Sequence, residues 1–579
     1  MTATAAALAG AARDARRAWD VRATAGAAVV VVAAAAPIVV SSSRLEDLAA
    51  GLYLALAATG LALAVGVAGM PSLAQGAFMA VGALTAAQLR IHGGVPTLAA
   101  AVVGAVAAAG AGVVTGVGFV RLNRGLVAVS TWILAWLVAL GLEAFPSVSG
   151  GAQGLLLPEG PSTTAHYELA LALVALAALA LVALARGPFG LRLAAARDRR
   201  AAAAALGVPV PRLRLTAFVA SAAVGGLAGG LSVQLAGIAD AASYGPYLSF
   251  KIFVAVLIGG AASAAGAFLG VVVLGLVSVA ADAVGAVENV SSARFHPLLA
   301  AVLLLAVLAL GGEGLLRAPR RHRLARAEAH PEARDTVSQG WLAGRALSKR
   351  YGDLVALEGL DIDVPAGEIV ALIGPNGSGK TTALRLLAGT EHPDAGTVES
   401  EGRLARTLQA TATFGELTAV EHLLVASAGA RRHGGLARTL LATPKARAEE
   451  AGATARAHEV LERFGLGAGG DTPASQLSGA DQRLLMIAAA SATGAAVLLL
   501  DEPSAGAAHA EVDRLARVLA GLRDEGLAIL VVEHNLRLVR TVAARVVALD
   551  AGRVIARGTP EQVGADPAVR GAYLGSQTL

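Results

Sequence analysis

The chain has 579 residues, long enough for several domains, and 55% of them are apolar against 15% charged. Its net charge is +5 and it has no cysteine, which excludes disulfides, thiol catalysis and cysteine-bound metals. Mean hydropathy is +0.64, high for a soluble protein, and the apolar excess lies before about residue 315, so a membrane half is expected to precede a soluble half.

Arg13, Arg16, Arg17 and Arg22 precede the first apolar run, and no small-residue cleavage site is obvious, so that run is expected to be a retained span. A helical crossing needs about 20 apolar residues. Candidates fall near 25–41, 48–67, 71–90, 96–120, 125–145, 167–186 and 214–237. The tract 248–283 is too long for one crossing, roughly 54 Å as helix, and Gly259-Gly260 divides it into two. A last span near 296–314 gives an all-α membrane part of about ten spans.

Loop charges test that count, because cytoplasmic loops are rich in Lys and Arg. The basic N-terminus, Arg121 and Arg124, the loop 186–214 and the exit with Arg317, Arg320, Arg321 and Arg323 all fall on one side if there are ten spans. Loops 146–166 and 238–247, on the other side, carry no Lys or Arg. The charge pattern suits a membrane lipid environment, and without a basic face interleaved with aromatics no nucleic-acid partner is expected. Gly226 and Gly230 have the spacing that lets helices approach closely, unless they merely follow the Ala/Gly-rich composition. Gln75, Glu143, Gln234 and Lys251 are polar residues in or near spans, either functional or snorkelling at span ends.

Within the loop 186–214, residues Leu191 to Leu206 read as a short basic helix closed by Gly207, Pro209 and Pro211, suited to docking on a soluble partner. The expected domains are a membrane domain at 1–315, a polar linker at 316–342 and an α/β domain at 343–579.

That last domain carries Gly374-Pro375-Asn376-Gly377-Ser378-Gly379-Lys380-Thr381-Thr382, which fits G-x-x-x-x-G-K-[ST] after an apolar strand and before a helix. Glycines let backbone N–H groups point at phosphate oxygens, and the helix N-terminus adds partial positive charge. Lys380 is placed to reach the β- and γ-phosphates of ATP, and the Thr381 hydroxyl to ligate Mg²⁺. Val497 to Leu500 form a buried strand ending in Asp501 and Glu502. Asp501 is placed to hold Mg²⁺, and Glu502 to polarise the attacking water.

Further motifs resemble the nucleotide-binding domains of ABC transporters. By that resemblance Tyr351 stacks on adenine, Gln409 touches Mg²⁺ and the membrane domain, and His534 contacts the γ-phosphate. Leu477-Ser478-Gly479-Ala480-Asp481 stands where the family's LSGGQ signature belongs, with Ser478 and Gly479 capping the γ-phosphate held by the other subunit. Ala480 and Asp481 depart from it: Asp481 either brings negative charge near a polyanion or caps its helix. The interface Asp or Asn expected after Pro503 is also missing from Ser504 to Ala508.

The subtype is narrower. Val532-Glu533-His534-Asn535 and the end from Val554 to Gly575 look like the ATPase of branched-chain amino acid ABC importers. Ala68 to Phe78, Ser149 to Leu155 and 187–218 resemble the permease of the same systems, with Gln75 where histidine is common and Lys251 where an acid is common. The resemblance implies a fused permease–ATPase subunit working by alternating access. Its implied partners are a second permease subunit, a second ATP-binding subunit and an external substrate-binding protein, in the bacterial cytoplasmic membrane. Urea or short-amide import and a weakly hydrolysing regulatory subunit stand as alternatives, the latter from Ala480, Asp481 and Ala508. An ABC exporter is a third, set against by the short loops and span count.

Overall fold

The computed structural model describes residues 36–240, 242–288, 301–306, 309, 314–316, 340–407, 413–428, 436–441 and 443–575. The expected spans near 25–41 and 296–314, the linker and Gln409 lie wholly or largely outside these residues. The described residues divide into two compact units. One takes those up to Ala183 and from Arg214 to Arg320; the other takes Leu184–Leu213 and those from Arg321 onward.

The first unit is helical. It contains α1 (Ser42–Ala62, continued by a π turn to Val67), α2 (Gln75–Gly93), α3 (Thr97–Phe119), α4 (Arg124–Ala144) and α5 (Thr163–Arg186). Beyond the loop follow α8 (Val210–Ala236), α9 (Pro246–Gly259) and α10 (Ala264–Glu288). The sequence breaks where its turn residues say it must. Gly94 closes α2 in the left-handed conformation at φ +59, and Gly260 at φ +117 splits the long tract between α9 and α10.

Six helices among the described residues are long and apolar enough to cross a membrane: Ser42–Val67, Thr97–Phe119, Arg124–Ala144, Thr163–Arg186, Val210–Ala236 and Ala242–Gly259. Among the described residues the expectation of about ten spans is corrected to six; the expected spans near 25–41 and 296–314 lie wholly or largely outside them. Helix α2 forms where a span was expected, but Gln75, Gln88, Arg90 and His92 dilute its apolar content. Within α10 the stretch Ala264–Ala280 is a shorter apolar helix as far as its described side chains extend.

Close helix contact is real where the glycines stand. A Cβ on Gly82 would sit 2.0 Å from the Gly226 carbonyl oxygen, and one on Gly229 2.0 Å from that of Met79, so α2 and α8 meet backbone to backbone. Gln75 serves this packing. Its amide donates to the carbonyls of Ala57 (3.0 Å) and Ser221 (3.2 Å), and its oxygen accepts from the Ser221 hydroxyl (3.2 Å). Gln234 is buried and donates to Thr97 O and Gly230 O, Lys251 is half-buried, and Glu143 is exposed. Leu155–Leu156 pairs antiparallel with Ile238–Ala239. The two loops without Lys or Arg therefore lie at one end of this unit.

The second unit is built on two sheets. Its first strands are β1 (Trp341–Tyr351), β2 (Leu354–Val364) and β3 (Ile369–Ile373), followed by helix α11 (Lys380–Leu387), β4 (Ala395–Glu401) and β5 (Leu404–Arg406). Then come α12 (Ala419–Ser427), α13 (Pro444–Arg463), α14 (Gly479–Ser491), β6 (Val497–Asp501), α15 (His509–Asp524) and β7 (Ala528–Val532). The unit closes with α16 (Leu536–Val542), β8 (Arg545–Asp550), β9 (Arg553–Gly558), α17 (Pro560–Ala565) and α18 (Pro567–Gly575).

The larger sheet has the order β9-β8-β3-β7-β6-β5, parallel except at the β9 edge. Strands β3, β6 and β7 are buried throughout, as continuous apolar runs in a sheet covered on both faces should be. The smaller sheet is antiparallel β2-β1-β4. One core joins the two sheets through Leu347, Leu360, Leu372, Leu499 and Leu530, with Leu384 and Leu387 of α11 inside it. This fixes the loop before α11 at the carboxyl ends of the central parallel strands, where ligands of such sheets bind.

The loop 186–214 differs from the expected single helix. It is α6 (Pro188–Asp198) and α7 (Arg200–Ala205), broken at Arg199, whose backbone is extended (φ −140, ψ 96).

Candidate functional site

The phosphate-loop residues sit at the end of β3. Gly374, Gly377 and Gly379 have φ of +153, +84 and +99, a run no other residue type adopts without strain. A Cβ on Gly374 would lie 2.2 Å from the Leu549 carbonyl oxygen, and one on Gly379 2.5 Å from that of Ala356. Asn376 and Gly377 form the exposed crest, flanked by half-buried Pro375, and Thr381 and Thr382 lie in the first turn of α11 after Lys380. The buried Ser378 hydroxyl has no hydrogen-bond partner among the described residues. Lys380 folds back so that Nζ donates to the carbonyls of Gly374 and Pro375, both at 2.8 Å. Burial lowers its pKa, while the charges of Glu502 and Asp501 oppose that shift. The lysine and both acids therefore share one electrostatic neighbourhood.

Asp501 ends β6 in register with Val532 of the adjacent β7. It is almost fully buried, which raises its carboxyl pKa, and Arg406 at 3.3 Å works against that rise. Glu502 follows with φ +46, a left-handed conformation unusual for a non-glycine residue, held by its N–H bond to Val532 O (2.9 Å). His534 is exposed two residues beyond β7. Glu533, next to His534, is fully buried. Its carboxylate accepts from the backbone N–H groups of Ser504 (2.7 Å), His534 (3.1 Å) and Asn535 (3.1 Å), tying the turn after Glu502 to the turn that carries His534.

Tyr351 ends β1, half-exposed; its hydroxyl hydrogen-bonds Glu391, and Lys349 Nζ stands 5.9 Å from the ring centroid. Ser478 and Gly479 are exposed at the start of α14, with Ser478 as its N-cap. Asp481 is tied into the first turn of α14, whose N-cap is Ser478. Its N–H donates to Ser478 Oγ (3.1 Å), the Ser478 hydroxyl donates to its carboxylate (2.8 Å), and Arg514 pairs with it at 2.7 Å.

The 184–213 segment docks in this same unit. Asp198 accepts from the N–H of Gly415 (2.7 Å), and Arg197 lies 3.6 Å from Glu416. The charge-assisted Asp198 bond is the stronger anchor, since the ion pair is exposed. The receiving loop is shaped by His422, which no motif flagged. Its Nδ1 donates to Thr418 O (2.8 Å), its Nε2 accepts from the Phe414 N–H (2.8 Å), and the Phe414 ring stacks on it at 5.0 Å. Only the four-residue spacing from the cap Thr418 in Thr418-Ala419-Val420-Glu421-His422 could have signalled it.

His422 gives a pH prediction. Complete burial pushes its imidazole down to about 4 from the ordinary 6.5. The unfolded chain then binds more protons between those values, so stability rises with pH across that window and is lost as pH falls through it. Between pH 7 and 5 the α/β unit should lose about 2 kcal/mol from this group. Urea denaturation of the detergent-solubilised chain at the two pH values measures it, and the His422→Gln chain should lack that part of the pH dependence.

Comparison with known proteins bears on both units. Residues 44–308 match the family described as branched-chain amino acid transport system permease component. Residues 357–505 match the ABC transporter family, and residues 553–577 the family described as branched-chain amino acid ATP-binding cassette transporter. The chain is similar to the high-affinity branched-chain amino acid transport ATP-binding protein LivG of Escherichia coli (strain K12), 38% identical over 254 residues, covering 41% of this chain and 99% of that protein. LivG of Salmonella typhimurium is 37% identical over the same length and coverage. The ATP-binding protein BraF of Pseudomonas aeruginosa, also of high-affinity branched-chain amino acid transport, is 36% identical over 258 residues, covering 41% of this chain and 99% of its own.

Proposed function

Because the chain belongs to the branched-chain amino acid ABC transporters and joins their permease and ATP-binding parts in one polypeptide, we propose that it imports branched-chain or related amino acids at the expense of ATP. The observation that carries this is the pair of matches, permease over residues 44–308 and branched-chain ATPase at 553–577, flanking an intact phosphate loop. These matches favour amino acids over urea or short amides as cargo.

In this reading the phosphate-loop backbone from Gly374 to Thr382 holds the ATP phosphates, Lys380 turns from its own loop carbonyls to the β- and γ-phosphates, and Tyr351 stacks on adenine. The unpartnered Ser378 hydroxyl and the glycine cradle fit a phosphate group. Thr381, Asp501 and Gln409 would hold Mg²⁺, which neutralises phosphate charge and polarises the γ-phosphoryl group. Glu502 accepts a proton from the attacking water, and His534 donates to the γ-phosphate, giving ADP and phosphate. Ser478 and Gly479 face the nucleotide of a second ATP-binding subunit. A second permease subunit and an external binding protein complete the importer, with its α/β unit on the cytoplasmic face of a bacterial membrane. Closure on ATP would reach the helices through α6, by way of the Asp198–Gly415 bond.

The test is uptake of labelled leucine by proteoliposomes holding the chain with its neighbouring permease, ATP-binding and binding-protein subunits. Uptake should need ATP and be competed by excess isoleucine and valine but not by urea or acetamide. ATP-independent uptake, or competition by urea alone, would overturn the assignment.

A further inference from the structure

A cavity of about 250 Å³ lies in the α/β unit, on the face of β3 and β8 covered by α16, α17 and α18. It is far larger than the ~30 Å³ of one water and just below the ~300 Å³ at which drug-sized pockets begin, so it has room for one small molecule. Its floor is aliphatic, with Ile373, Val539, Val546 and Val563 among its lining residues. Among the described residues no acidic side chain lines it, but Arg540 and Arg570 do, both exposed. The Arg540 guanidinium has no hydrogen bond or ion pair among the described residues, and Arg570 uses only Nε, on the Gly564 carbonyl at 3.1 Å. An aliphatic pocket with two guanidiniums and no acid selects an apolar body bearing a carboxylate.

Tyr573 also lines the cavity and connects it to the nucleotide site. Its hydroxyl accepts the backbone N–H of Gly374, the first residue of the phosphate loop, at 3.0 Å. Ile373, the residue before Gly374, is itself part of the lining. The walls from Pro560 to Tyr573 also fall within 553–577, the stretch matched to branched-chain transporters, outside the 357–505 match to ABC transporters at large.

We propose that this cavity binds a small branched aliphatic carboxylate, and that occupancy is transmitted to ATP affinity through Tyr573 and Gly374. The cargo amino acid and a deaminated relative share this chemistry. Binding is read directly, so its failure is distinguishable from failure of the transport assignment. The two sites are coupled by linkage: the factor by which the carboxylate changes the Kd for ATP must equal the factor by which ATP changes the Kd for the carboxylate.

Isothermal titration of the full-length chain in detergent with isocaproate, and separately with L-leucine, tests the site. Saturable binding of either at one per chain is expected, and which of them binds identifies the source. Isocaproamide, the uncharged isostere, should bind at least about tenfold more weakly. Val563→Trp should fill the cavity and abolish binding while ATP binding persists. Arg540→Glu with Arg570→Glu, surface changes that spare the core, should weaken isocaproate about tenfold or more and leave isocaproamide unmoved. Tyr573→Phe should retain isocaproate binding but bring the reciprocal coupling factor to one. No saturable binding of either ligand, equal affinity for isocaproate and its amide, or unchanged binding in the double arginine variant would overturn the proposal.

Discussion

Glu502→Gln should leave ATP binding intact and slow hydrolysis by about 10²–10⁴-fold, the usual contribution of a positioned general base. The expectation rests on where the backbone places this residue. Asp501 is fixed by the β6–β7 register, and Glu502 is the next residue, turned out of the strand by its φ of +46. That conformation costs on the order of 1–3 kcal/mol and survives only where neighbours over-determine it. Here the Val532 carbonyl and the Glu533-bound turn at Ser504 hold it from both sides. Glutamine keeps the size and can adopt the same turn, but cannot take a proton from water. The change therefore separates chemistry from binding. ATPase rate and nucleotide affinity of the assembled complex check it together. An unchanged rate would point instead to a regulatory subunit whose own turnover is negligible.

The parts of this site that were legible in the sequence are those whose chemistry requires fixed spacing along one strand–turn–helix unit. Gly374 to Thr382, Asp501, Glu502 and His534 all sit at the carboxyl ends of the adjacent strands β3, β6 and β7. Glu533, Arg514 and Tyr573 act through contacts to Ser504, Asp481 and Gly374, 29, 33 and 199 residues away, so their sequence neighbours do not announce them, and His422 acts through Thr418 and Phe414 with only a four-residue spacing to signal it. Tyr573 and Gly374 are 199 residues apart, and Asp198 and Gly415 are 217 apart. In the helical unit the break at Gly259-Gly260 was readable because only the left-handed region closes that turn. The count of crossings was not. Hydropathy scores an Ala/Gly-rich helix as a span whether its small residues face lipid or another backbone. Both cases occur among the six apolar helices, α4 burying 17% of its apolar window and α1 with its π turn 72%, while α2 falls short because Gln75, Gln88, Arg90 and His92 dilute it.

Asp481→Gln should raise the ATPase rate of the complex about tenfold, because the aspartate holds the one proton the Ser478 hydroxyl has to give. The Ser478 hydroxyl donates to Asp481 at 2.8 Å and accepts from its N–H at 3.1 Å, so both of its functions are occupied locally. Arg514 pins the other carboxylate oxygen at 2.7 Å and is itself held by the carbonyls of Phe464 and Gly465. The carboxylate thus cannot swing away without breaking a bond to each neighbour. A γ-phosphate is acceptor only, and while this arrangement lasts the Ser478 hydroxyl offers it nothing. A hydrogen bond to a charged group contributes about 1.5–3 kcal/mol, at least the tenfold expected here once glutamine frees the hydroxyl and removes the carboxylate. The same change unpairs Arg514 and removes an acid from the first turn of α14, a loss of about 0.3–1 kcal/mol in helix stability. Activity and stability should therefore move in opposite directions, which a mere loosening of the fold does not produce. Single-turnover hydrolysis by the complex, paired with its thermal midpoint, reads both. If the rate stays flat while the midpoint drops, Ala480, whose methyl stands one residue before Asp481, remains as the residue that disables the second half-site.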